Sequence, residues 1–145
     1  MKHNQSNGIT LTCEDVIDDA ITSRGEDFQE MIEGMESDCD EKNDDATTSF
    51  HEYGLSLQWM DHIDGEMPFL QFQLSWGGPS EEIRFYPKNV TGFFNGTDLN
   101  LSKIDFVYKD WFDHAKRDIS DLKWAVWLRD YFQETFDFGN VIPKS

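Results

Sequence analysis

The 145-residue chain predicts an α+β fold: an antiparallel three-stranded meander covered by C-terminal helices and preceded by short acidic N-terminal helices. Three observations predict it. Apolar residues alternate with polar ones through residues 53–86, apolar residues recur at helical spacing before residue 36 and after residue 101, and 12 Phe, 5 Trp and 4 Tyr supply a bulky core.

The elements follow in order. Thr12 stands where an N-cap belongs, and Val16, Ile17, Ala20 and Ile21 recur at helical spacing with Asp15, Asp18 and Asp19 facing away. After Gly25, Phe28, Met31, Ile32 and Met35 repeat the pattern, which predicts a second short helix. The run "ESDCDEKNDDATTS" has almost no apolar content and predicts a solvated linker. The domain boundary is therefore expected there, dividing an acidic N-terminal segment and linker (1–49) from an α+β core (50–145).

From Tyr53 the period changes to two. Tyr53, Leu55, Leu57 and Trp59 form the apolar face of one strand, "DHIDGE" supplies a turn, and Leu70, Phe72, Leu74 and Trp76 form the next. Gly77, Gly78 and Pro79 reverse the chain into a third strand, Glu82–Tyr86. In "LSKIDFVYKDWFDHAK", Ile104, Val107, Tyr108, Trp111, Phe112 and Ala115 fit a helix, with Ser102 and Asp105 as a capping box. A last helix, capped by Asp118 or Ser120, carries Leu122, Ala125, Val126, Trp127, Tyr131 and Phe132 and ends near Phe136.

Charge is the most informative feature. Twenty-nine acids against 12 bases give −17, well beyond the magnitude of roughly two to eight that keeps a small domain soluble. A field of this size repels DNA, RNA and anionic membranes and attracts basic protein surfaces. "MKHNQSNGITLTCEDV" holds no apolar run of signal-peptide length, and no stretch of 18 apolar residues occurs, so a soluble, cytoplasmic protein is expected. The sequons at Asn89, Asn95 and Asn100 then read as turn chemistry, and Cys13 and Cys39 as idle or buried thiols.

No metal site or cofactor is expected. An EF-hand loop starting at Asp38 would need an oxygen ligand where Lys42 stands and Glu where Ser49 stands, and Asp61, His62 and Asp64 read as a solvated turn. There is no nucleophile elbow, phosphate loop, dinucleotide fingerprint or HExxH, so no catalytic residue is nominated and an enzyme is not expected. Carboxylates held at helical intervals can instead present a line of negative charge to a protein groove that tracks phosphates. Glu14, Asp15, Asp18, Asp19, Glu26, Asp27, Glu30 and Glu33 are the candidate contacts, on helices that dock through Val16, Ile17, Phe28 and Ile32. Trp76, beside the Gly-Gly-Pro turn, is a candidate interface anchor, and Trp124 a second aromatic outside the needed core.

"YGLSLQW", "FQLSWGGPSEEIRFY" and "DWFDHAK", spanning residues 53–115, resemble a family of small proteins encoded on bacterial plasmids, integrative elements and phages. That resemblance implies an anti-defence factor, similar in kind to anti-CRISPR and anti-restriction inhibitors. The expected function is to bind the basic surface of a host nucleic-acid-binding defence complex by acidic DNA mimicry, without touching nucleic acid. The alternative is a non-catalytic interaction factor of plasmid maintenance or transfer.

Overall fold

The computed structural model describes residues 3–4, 10–60, 68–76 and 78–138. A short pair, β1 (His3–Asn4) and β2 (Thr10–Leu11), precedes α1 (Cys13–Met35) and α2 (Asp40–Tyr53). Then come β3 (Ser56–Met60), β4 (Phe69–Ser75), β5 (Ser80–Pro87), α3 (Val90–Asn95), β6 (Leu101–Asp110), β7 (Asp113–Asp118) and α4 (Lys123–Thr135). The fold is α+β. Its main sheet, among the described residues, is a five-stranded antiparallel meander in the order β3-β4-β5-β6-β7.

The two strands beyond the expected three come from "LSKIDFVYKDWFDHAK", which is a hairpin and not a helix. Ile104 and Phe106 point into the helix-covered core while Asp105 and Val107 take the other face, a period of two that Val107's burial disguises. Asp105 caps nothing; it pairs in register with Arg84. Trp111 and Phe112 form the two-residue turn between Asp110 and Asp113, with Trp111 at φ 57. Hairpin turns of this length favour Gly or Asn at the first position, because a side chain at positive φ crowds the following carbonyl at a cost of about 1–2 kcal/mol.

The N-terminal half also differs from expectation. One 23-residue helix replaces the two short ones, because Gly25 is not a break: the Trp124 indole lies against it, and a Cβ there would come within 2.6 Å of Trp124 Nε1. Thr12 does cap α1, in a full capping box with Asp15. The expected linker is α2. Its single buried apolar side chain, Phe50, meets Trp127 and Tyr131 of α4 edge-on, and Gly34 of α1 lets Ala46 approach closely. Asp40 and Glu41 in its first turn favour the positive end of the helix dipole. Tyr53 closes α2, so β3 starts at Ser56 rather than at Tyr53.

α4 falls where expected, although Leu122 occupies its N-cap position and Asp118 instead accepts from the Ser120 backbone. α3 was not foreseen. It starts at the turn residue Asn89, whose side chain accepts from Gly92 N–H at 2.9 Å. The Asp61–Asp64 turn and Gly77 lie outside the described residues.

α1 and α4 cover one face of the sheet, and Ile17 and Phe28 of the expected 1–49 segment share one apolar cluster with Phe85, Ile104 and Leu128. Trp124 belongs to that core, stacked on Phe28 at 5.4 Å, so it is not an exposed anchor. The opposite face carries buried polar residues: Gln71, Gln73, Glu82, Arg84 and Asp105. There Arg84 Nε donates to Glu82 at 2.7 Å while its guanidinium lies over the Phe69 ring, and Lys109 Nζ stands 3.4 Å from the other Glu82 oxygen. Burial raises the Glu82 carboxyl's pKa, but the bond and charge of Arg84, aided by Lys109, outweigh it and hold that carboxyl below its usual range.

Candidate partner-binding surface

α1 carries its apolar residues on one side, so its carboxylates occupy the other, and all eight nominated acids are exposed. The helix packs on the covered face of the sheet. Cys13 N–H donates to Asp113 at the start of β7 (2.8 Å), Glu14 and Asp18 bind Arg117 of β7 (2.8 and 3.2 Å), Arg24 forks onto Glu81 of β5 (3.0 and 3.1 Å), and Phe28 meets Phe72 of β4. Four nominated acids therefore have structural partners. Glu14 and Asp18 hold Arg117, Asp15 completes the cap, and Asp27 accepts from the Tyr53 hydroxyl at 2.5 Å. Burial, with that bond to Asp27, pushes the Tyr53 phenol up to about 12.

Asp19, Glu26, Glu30 and Glu33 remain. Among the described residues no hydrogen bond or ion pair engages them, and Glu26, Glu30 and Glu33 follow one another at helical neighbour spacing, about 6 Å apart. α2 adds Asp40, Glu41, Asp44 and Asp45 alongside. A groove of about 740 Å³ runs between the two helices, lined by Asp27, Glu30, Glu33, Asp45, Lys42 and Tyr53. Residues 13–53 hold fifteen acids against two bases, so this hairpin carries −13 of the total −17. From Asp19 to Glu33 a helix rises about 21 Å, and along it Asp19, Glu26, Glu30 and Glu33 face solvent.

The sequence pattern puts these acids on the solvent side of two short helices; the structure sets them on one 23-residue helix and carries the acids of the expected linker on α2. Trp76 is 63% exposed at the β4–β5 turn, away from the core, as an anchor requires. Two residues that the helical reading of 101–116 assigned to the core are also in solvent: Trp111 is 72% and Phe112 100% exposed. The signal that marks them is local. "DWFD" places two aromatics between two Asp residues that close a hairpin.

Among the described residues, no group of three or more His, Cys, Asp or Glu side chains is arranged to hold a metal ion, and no helix is long and apolar enough to cross a membrane. No family model, curated protein or solved structure matches the chain.

Proposed function

We propose that this protein is a non-enzymatic, cytoplasmic inhibitor that sets its acidic α1–α2 hairpin into the nucleic-acid groove of a host defence complex of CRISPR or restriction type. It excludes DNA from that groove without binding nucleic acid itself. The observation that carries the reading is the −13 concentrated on residues 13–53 and held by core packing rather than by a tail. A carboxylate on a fixed helix meets a preformed Arg or Lys pair with little further loss of entropy, and the bond is charge-assisted. The resemblance of residues 53–115 to mobile-element proteins supplies the class of target.

The test is displacement of labelled duplex from purified CRISPR effector and restriction complexes. The protein should displace DNA from at least one of them, and displacement from none at low salt contradicts the proposal. A second reading, a protein-interaction factor of plasmid maintenance or transfer, draws support from the exposure of Trp76. Under that reading, Trp76→Ala abolishes partner binding while neutralising the α1 carboxylates leaves it unchanged.

A further inference from the structure

Three large aromatic side chains stand in solvent at one end of the sheet. Trp76 leaves β4 beside the β4–β5 turn, while Trp111 and Phe112 are the β6–β7 turn. Ser75 pairs with Glu81 and Ser80 with Lys109, so the two turns lie at the same end, two strands apart, or about 10 Å. α1 touches this same end at two points. Its first residue bonds Asp113, directly after the aromatic turn, and Arg24 grips Glu81, directly opposite the residue before Trp76.

Trp111 contradicts its local chemistry. It occupies a positive-φ position that suits Gly or Asn, and it buries little in return. A bulky residue at a strained position where it buries little points to a use outside the fold.

We propose that Trp76, Trp111 and Phe112 form an apolar anchor that enters a hydrophobic pocket rimmed by Lys and Arg on the partner protein, beside the groove that receives the acidic hairpin. This rests on the proposed function and adds the second half of the interface. Area and charge select the occupant. The three side chains expose on the order of 500 Å², enough for the apolar centre of a standard interface of roughly 800 Å² per partner. A second copy of this chain would set a net charge of −17 against another −17, and DNA or an anionic membrane would meet the same field, whereas a basic rim complements it.

The experiment pans a displayed library of random 15-residue peptides against the immobilised full chain. Enriched peptides are then measured against wild type, against Trp111→Asn with Phe112→Ser, and against Glu26→Gln with Glu30→Gln and Glu33→Gln. Asn tolerates positive φ, and circular dichroism confirms that both variants are folded. Enriched peptides should combine large apolar residues with Lys or Arg, and should lose about 30-fold or more on the aromatic variant at any salt concentration. They should lose several-fold on the acid variant only at low salt.

Peptides indifferent to the aromatic variant, or a library with no binder, overturn the anchor. Loss on the aromatic variant with no effect of salt or of the acid variant keeps the anchor and removes the acidic reading. A wild-type dimer in sedimentation velocity that the aromatic variant abolishes makes a second copy the occupant, and overturns the proposal.

Discussion

Replacing Gly25 by Ala separates two physical expectations of opposite sign. Gly25 lies inside α1, where helix propensity alone favours Ala by about 1 kcal/mol. The added Cβ, however, would stand 2.6 Å from Trp124 Nε1, 3.1 Å from Cε2 and 3.3 Å from Cδ1. The indole cannot retreat easily, because it is stacked on Phe28 and both rings are buried. Overpacking of this kind costs about 1–3 kcal/mol, so Gly25→Ala is expected to destabilise by up to about 2 kcal/mol net and to lower Tm by as much as roughly 7 °C. Urea unfolding at constant m-value measures it. In a Trp124→Leu background the indole is gone, and the same substitution should stabilise by about 1 kcal/mol. A wild-type background in which Gly25→Ala is the more stable protein would refute the close approach of α1 and α4.

Phe28→Ala should cost about 3–5 kcal/mol in thermal or urea unfolding, since the ring is fully buried among Tyr53, Phe72 and Trp124, whereas Phe112→Ser should change stability by less than about 0.5 kcal/mol. The Glu82 carboxyl titrates below its ordinary 4.5 when folded, so its contribution is complete above that pH and is lost as pH falls through the lowered value. Glu82→Gln should flatten the acid limb of the stability curve, and removing the carboxylate from buried Arg84 should cost on the order of 3 kcal/mol at neutral pH. An aromatic disulfide reagent should modify one thiol quickly, Cys39, because Cys13 is buried and its pKa is pushed up to about 11 by burial and by Asp113. Fast reaction of both thiols in the folded protein contradicts the packing of α1 on β7.

β4 and β5 are legible because Leu70, Phe72, Leu74, Ile83 and Phe85 alternate with Gln71, Gln73, Glu82 and Arg84. β6 is not, because Val107 is buried on the polar face and completes a false helical spacing with Ile104, Tyr108 and Trp111. α2 has too few apolar residues to be found alone; its helix depends on Phe50 reaching α4 and Ala46 reaching Gly34, contacts that exist only in the tertiary structure. Gly25 reads as a break by propensity and is a contact by packing. For the candidate surface, capping and periodicity sufficed to orient the acids of α1. Which of them serve the fold was not legible, because Arg117 and Tyr53, which hold Glu14, Asp18 and Asp27, lie 26 to 103 residues away in sequence.

In the proposed function, charge fixed on α1 and α2 competes with DNA for a protein groove. Its most direct measurement is the potency of the full chain in displacing labelled duplex from a CRISPR effector or restriction complex, at 50 and 200 mM salt, for wild type and for Glu26→Gln with Glu30→Gln and Glu33→Gln. Wild-type binding to the complex should fall by at least about tenfold across that salt range, and the variant, still fully folded, should bind more weakly and with a shallower salt dependence. Undiminished potency of the variant, or binding indifferent to salt, would contradict it.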